Sequence, residues 1–248
     1  MAIVEYRVAG SSVTPEKPVS VFLNGQLVVQ TQGSPHDLGD LGVGYLFTEG
    51  VLSERDALKS VEVDSLAHEV RIWSEELPPK DFVAQRRASS GQSSSRLRCL
   101  AFEPVSLAAS FPVNFLADDI VLQMDELCKR SPHRNAGNGV HGCGLGGGSR
   151  ASLLLVREDL GRHNAMDKTL GRAWLDGVDL KDKALFITGR ISAEMAMKAC
   201  VAGVPLLVSR KSATEEAVAR AQRLGITLVS HCRNNYLRVL THPERIRE

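Results

Sequence analysis

The run Glu158-Asp159-Leu160-Gly161-Arg162-His163-Asn164-Ala165-Met166-Asp167-Lys168 places a dense group of ionisable side chains directly behind the apolar stretch Leu153 to Val156. A polar cluster at the carboxyl end of a buried strand is where open α/β sheets bind ligands. The same composition recurs behind three later apolar stretches: Thr188 and Arg190; Ser209, Arg210 and Lys211; and His231, Arg233, Asn234 and Asn235. With Arg157, Arg162, His163 and Asn164 these form four polar exits, and in a parallel sheet all four lie along one edge. Guanidinium groups gathered near helix amino ends favour anions, so the chemistry indicated is the holding of a phosphate-bearing ligand. The plainer alternative is that these arginines are solvated or paired with Glu158, Asp159 and Asp167. No Walker sequence and no dinucleotide glycine fingerprint is present, so an ordinary ATP or NAD site is not indicated.

Two further groups have reactive potential. His141 and Cys143 stand two apart, but zinc needs two more ligands and no second Cys-x-x-Cys or His-x-x-x-His pair exists. The alternative is a flexible glycine turn from Gly137 to Gly148 with His141 as a hydrogen-bonding group. Cys99 follows Arg96-Leu97-Arg98, and neighbouring cations stabilise a thiolate able to attack or to carry sulfur. Against this, Cys99-Leu100-Ala101-Phe102 also reads as the start of a buried segment. Cys128 and Cys200 fall on apolar helix faces and read as core.

The elements that must position these groups follow from periodicity. Val19 to Leu23 and Gln26 to Val29 flank Asn24-Gly25, a pair that favours a two-residue hairpin. Leu38, Leu41, Tyr45, Leu46 and Glu49 have helical spacing, closed by Gly50. Val61/Val63 and Val70/Ile72 alternate as two short strands. Ser74 to Arg98 is rich in Ser, Pro, Gln and Arg and is expected to be a mobile loop. A helix is predicted over Asp118 to Lys129. From residue 151 onward, strands at Ser152 to Val156, Leu185 to Thr188, Leu206 to Ser209 and Thr227 to Ser230 alternate with three amphipathic helices, which implies parallel strands and right-handed crossovers. The last of these helices is expected to start with a Ser212/Glu215 capping box and to end at Gly225.

Composition bounds the function classes. The chain has 248 residues, 43% hydrophobic, enough for a sizeable core. A net charge of +1 supplies no global field for nucleic acid or an acidic membrane. Neither a signal peptide nor an apolar run of about 20 residues occurs, so a cytoplasmic location is expected. Five scattered cysteines argue against a disulfide framework.

These residues resemble the FdhD/NarQ family of formate dehydrogenase accessory proteins. The resemblance rests on Leu41-Gly42-Val43-Gly44-Tyr45-Leu46-Phe47-Thr48-Glu49-Gly50, on the run from Glu158 to Lys168, and on Gly189-Arg190-Ile191-Ser192-Ala193-Glu194-Met195 with Lys198; it extends to Gly203-Val204-Pro205 and Leu224 to Leu228. It implies a cytidine-deaminase-like three-layer α/β/α domain over residues 99–248, preceded by a smaller α+β part over 1–98 and without the deaminase zinc; a deaminase-type hydrolase would require that metal. It further implies a homodimer and a sulfurtransferase that takes sulfur from a cysteine desulfurase as a persulfide. The acceptor would be the bis-molybdopterin guanine dinucleotide cofactor of formate dehydrogenase. Cys99 is then the expected sulfur carrier, and His141, Arg162, His163, Asn164, Arg190, Ser209 and Arg233 the expected cofactor contacts. The resemblance adds Leu237, Arg238, Val239, Leu240, Thr241 and His242 to that set. The chain departs from the family at two places. Its Cys-x-x-Cys pair aligns with Arg96 and Cys99, leaving no nearby resolving thiol. Extra glycines stand in Gly137-Asn138-Gly139-Val140-His141-Gly142-Cys143. A cofactor-binding chaperone without a covalent step is the competing function.

Overall fold

The fold was analysed in a computed structural model, which describes residues 14–77, 114–137, 139–147 and 152–248. The expected mobile loop lies mostly, and Cys99 and the 98/99 boundary wholly, outside the described residues.

The amino-terminal half forms a four-stranded sheet of order β2-β1-β4-β3. β1 (Lys17–Leu23) and β2 (Gln26–Gly33) make the expected hairpin, with Asn24 at φ 49° and Gly25 at φ 80° in the left-handed region. β3 (Leu58–Asp64) and β4 (Glu69–Ser74) complete the sheet, and β1 runs parallel to β4. One face carries Val19, Val21, Leu23, Val70 and Ile72 against α1 (Leu38–Thr48).

The carboxyl-terminal half is a six-stranded sheet of order β11-β10-β9-β8-β6-β7. Helices cover both of its faces. α4 (Arg162–Leu175), α5 (Ala193–Ala202) and α6 (Glu215–Leu224) bury Met166, Leu170, Met195, Ala196, Ala217 and Ala221 against one face. α2 (Ala117–Lys129) buries Ile120, Val121, Met124 and Leu127 against the other, and the short α3 (Pro132–Asn135) follows it. A two-stranded ribbon pairs β5 (Phe115–Leu116) with β12 (Ile246–Arg247).

The expected strands appear as β7 (Leu153–Asp159), β8 (Lys183–Ile187), β9 (Leu206–Ser209) and β10 (Thr227–Arg233). β8, β9 and β10 are mutually parallel. β7 runs the same way but does not pair with β8, because an antiparallel strand, β6 (His141–Gly147), lies between them. The expectation of a glycine turn here is therefore corrected. Gly142, Gly144 and Gly146 occupy one face of β6, and α2 with its neighbours lies directly on that backbone. A Cβ at Gly142 would come 2.6 Å from Ser131 Oγ, at Gly144 2.9 Å from Leu153 Cδ1, and at Gly146 1.6 Å from Gln123 Oε1. The glycines exist to admit the helix, not to bend the chain.

β11 (Tyr236–Thr241) closes the far edge through a hairpin whose Asn234 and Asn235 both have positive φ. At α6 the cap is Thr214, whose Oγ1 accepts from Ala217 N, so Ser212 is not the capping residue. Gly225 ends the helix at φ 71° as expected.

The halves join where α1 crosses α4. A Cβ on Gly44 would stand 1.8 Å from Asp167 O, and one on Gly171 2.0 Å from Asp40 O, so the helices meet backbone to backbone.

Candidate functional site

Because β6 is antiparallel, its first residue lies beside the last residues of its neighbours: His141 pairs with Asp159, and Thr188 Oγ1 accepts from Gly142 N at 2.9 Å. The rim thus gathers the start of β6, the ends of β7 and β8, and the amino ends of α4 and α5. Gly189 marks the centre. A Cβ there would lie 3.0 Å from His141 Nδ1 and 3.3 Å from Arg162 Cδ, so both side chains close over a position without one.

The carboxylates expected to neutralise these arginines are committed elsewhere. Glu158 accepts from the backbone N–H groups of His133 and Arg134, Asp159 pairs with Lys168 at 2.7 Å, and Asp167 pairs with Lys198 at 2.7 Å. The plainer reading holds for Arg157, which is paired, but with Asp40, its Nε 2.8 Å from that carboxylate, and for Arg190 and Arg233, which are exposed to solvent. Among the described residues Arg162 and Arg190 have neither a hydrogen bond nor an ion pair, although Glu194 is close enough to act on Arg162 electrostatically. Burial, and then the charge of Arg190, make Arg162 easier to deprotonate than usual, yet an arginine remains cationic. His163 Nε2 lies 3.0 Å from Ser192 Oγ and 3.3 Å from Glu194 Oε2, so its ring bridges the starts of α4 and α5.

Burial, followed by the charges of Arg162, Arg134 and His163, holds His141 below the ordinary histidine range; Asp159 opposes this. A histidine harder to protonate in the folded chain contributes stability that is complete above about pH 6.5 and declines as pH falls. An anion seated beside His141 reverses the shift and draws in a proton. Binding of a phosphate-bearing ligand is therefore expected to take up protons and to strengthen from about pH 8 to about pH 6. Calorimetry in buffers of different ionisation enthalpy checks this, and proton release would contradict it.

The other expected contacts divide by position. Asn164 is buried and donates to Gln32 O and Asp159 Oδ1; Ser209 is buried and donates to Gly189 O while accepting from Lys211 N. Both hold the rim together from beneath. Arg210 donates to Cys128 Sγ at 2.8 Å. Arg233 is exposed at the rim end of β10, two strands or about 10 Å from β8. Leu237 and Val239 pack on the α2 side of β11, Leu240 on the opposite side, and Arg238 is exposed. Thr241 pairs with Leu228, which puts it and His242 at the opposite end of the sheet from the rim. Thr241 Oγ1 donates to Ile226 O, and His242 Nε2 lies 3.0 Å from Gln222 O. Within one chain these two do not join Arg162 and Arg190.

Sequence reasoning missed the supports. Asp159 and Lys168 form an ion pair sealed from solvent, and Asp159 also accepts from Ser34 N and Gly161 N while Lys168 donates to Ser34 O. Lys198 joins Asp167 to Thr48 Oγ1 at 2.8 Å, with Glu49 at 3.7 Å. Both networks tie α4 to the amino-terminal half. Their only sequence signal is a lysine within a run otherwise spaced like a buried helix face.

Among the described cysteines, burial pushes the thiols of Cys143 and Cys232 up to about 12 and that of Cys200 up to about 11, which disfavours thiolate chemistry. Cys128 and Cys200 are only half-buried, so neither is full core. No group of three or more His, Cys, Asp or Glu side chains able to hold a metal occurs among the described residues. No described helix is long and apolar enough to cross a membrane.

The fold and site define an α/β protein with mixed sheets and a cationic rim built over buried ion pairs. The sequence profile of the FdhD/NarQ family matches residues 14–247, and the chain belongs to that family. It is 31% identical over 239 residues to "Sulfur carrier protein FdhD" of Bacillus subtilis, covering 94% of this chain and 89% of that protein. A protein of the same name from Bacillus pumilus is 32% identical, with 95% and 90% covered. The fold matches, at a TM-score of 0.77 and 28% identity, a crystal structure of a candidate formate dehydrogenase accessory protein from Desulfotalea psychrophila, covering 95% of this chain and 90% of that one. At the level of the family, a sulfur-carrier role follows.

Proposed function

We propose that the chain receives sulfur from a cysteine desulfurase as a persulfide on Cys99 and delivers it to a bis-molybdopterin guanine dinucleotide cofactor destined for formate dehydrogenase. The observation that carries this reading is the pair of uncommitted guanidinium groups, Arg162 and Arg190, on the rim of a member of a sulfur-carrier family. A cofactor with several phosphates is the kind of ligand that such a rim attracts. His141, His163 and Arg233 would complete the contacts, with Leu237 to His242 as a further segment. In this reading the protein is a cytoplasmic homodimer, and its carboxyl-terminal part, beginning at residue 99, is a deaminase-like three-layer domain that works without zinc.

In the loading step the Cys99 thiolate attacks the outer sulfur of the desulfurase persulfide; a new S–S bond forms and the desulfurase cysteine leaves as thiolate. Arg96 and Arg98 favour the thiolate form. Mass spectrometry after incubation with a cysteine desulfurase and cysteine is expected to show one added sulfur on Cys99, absent from Cys99→Ala. That variant should fail to restore formate dehydrogenase activity to cells lacking the protein, and full restoration would end the carrier role. Arg96, standing where the family has its first cysteine, favours a second reading in which the chain only shelters the cofactor. An unmodified Cys99 in a chain that still binds GDP would establish that version.

A further inference from the structure

β7 is the last strand of the six-stranded sheet, and its outer edge is covered selectively. Gly142 of β6 directs its backbone to β8, its N donating to Thr188 Oγ1 and its O accepting from Thr188 N. The alternate residues His141, Cys143 and Leu145 therefore face β7, where they pair with Asp159, Arg157 and Leu155. That leaves Val156 and Glu158 with N–H and C=O on the open side. Both carbonyls are taken, since Val156 O accepts from Arg157 Nη1 at 3.0 Å and Glu158 O from Lys168 Nζ at 3.4 Å. Among the described residues neither N–H meets an acceptor. A cleft of about 240 Å³ follows this edge, with Pro132 and His133 on one wall and His36 and Asp37 on the other. Thr14 Oγ1, in the same lining, is shielded and has no hydrogen bond. His36 and His133 stack across the cleft with ring centroids 5.6 Å apart. That spacing shuts out a helix, about 10 Å wide, and leaves an extended chain once the two exposed rings part.

We propose that this cleft docks an extended peptide segment of a partner protein, which adds to β7 as a further strand through the N–H groups of Val156 and Glu158 and sets a lysine or arginine on Asp37. An open edge pairs with a chain that supplies carbonyl acceptors at alternate residues. The side chains of such a chain alternate between the two walls, so every second one faces Asp37. That carboxylate is 43% exposed and lies 3.5 Å from Arg157 Nε, which Asp40 holds more closely at 2.8 Å. It is loosely held and favours a cation. Glu158 does not compete for the same role, because its carboxylate accepts from the N–H groups of His133 and Arg134. The groove uses neither Arg162 nor Arg190, so it stands whether or not the rim binds a cofactor.

The test is amide NMR of the full chain titrated with the acetylated and amidated peptide Thr-Val-Lys-Val-Thr, and with the same peptide carrying Glu in place of Lys. The lysine peptide is expected to shift the Val156 and Glu158 amides saturably and to slow their hydrogen exchange, and the glutamate peptide to bind about threefold more weakly. Val156→Pro removes one donor at an edge position that tolerates proline, and should weaken the lysine peptide about fivefold. Asp37→Asn keeps a residue that accepts the left-handed backbone there, and should abolish the preference for lysine over glutamate. Shifts that do not saturate, or lysine and glutamate peptides bound equally by the parent protein, overturn the groove. Protection of the two amides without peptide also overturns it: at every concentration it means that the chain's own residues cover the edge, and at high concentration alone that a second copy does.

Discussion

Gly171→Ala is expected to cost the protein about 3 kcal/mol or more, the upper end of overpacking effects, and to leave little folded chain at 37 °C. The methyl group would stand 2.0 Å from Asp40 O and 2.6 Å from Gly44 N, and both are backbone atoms that no rotamer change can move aside. Relief requires α1 and α4 to separate. That would loosen Leu41, Tyr45 and Leu46 on one side and Met166, Leu170 and Trp174 on the other. Gly147→Ala is the control, since a Cβ there meets nothing within 4 Å among the described residues. Urea unfolding measures both, and a Gly171→Ala midpoint equal to that of the parent protein would show that the helices do not cross this closely.

Lys168→Met is the second large effect, expected at about 3 to 5 kcal/mol, because it leaves the Asp159 carboxylate buried without its counter-charge. Both side chains are 0% exposed, so water cannot take over. The loss should fall mainly on the start of α4, where Asp159 also receives Gly161 N and Asn164 Nδ2. Combining Lys168→Met with Asp159→Asn removes both charges and should recover part of the loss. If the double variant is as unstable as the sum of the two single variants, the pair is not coupled.

Much of this architecture was legible because local chemistry and tertiary structure agree. Asn24-Gly25 demanded a hairpin turn, and Gly225 sits at the left-handed end of α6 where spacing placed it. The rim was legible too, since four strands of one direction put their polar exits along one edge whether or not another strand intervenes. β6 was not. Its signal is the alternation of Gly142, Gly144 and Gly146 with Cys143 and Leu145, a period of two that looks like a turn when glycine is taken only as a breaker. Nor could sequence tell Arg157, which Asp40 neutralises, from Arg162 and Arg190. The distinction depends on Asp159 and Asp167 being claimed by lysines on α4 and α5, which only tertiary packing decides.

The clasp at Ser34 has a consequence for how quickly a ligand is captured. Lys168, Asp159 and Asn164 fasten the turn after β2 to the start of α4 away from water, so the backbone bearing Arg162 and His163 is set before any encounter. A preorganised seat loses little conformational freedom on association. Capture should therefore be limited by diffusion and charge steering, with an association rate that falls steeply as salt is added and in inverse proportion to solvent viscosity.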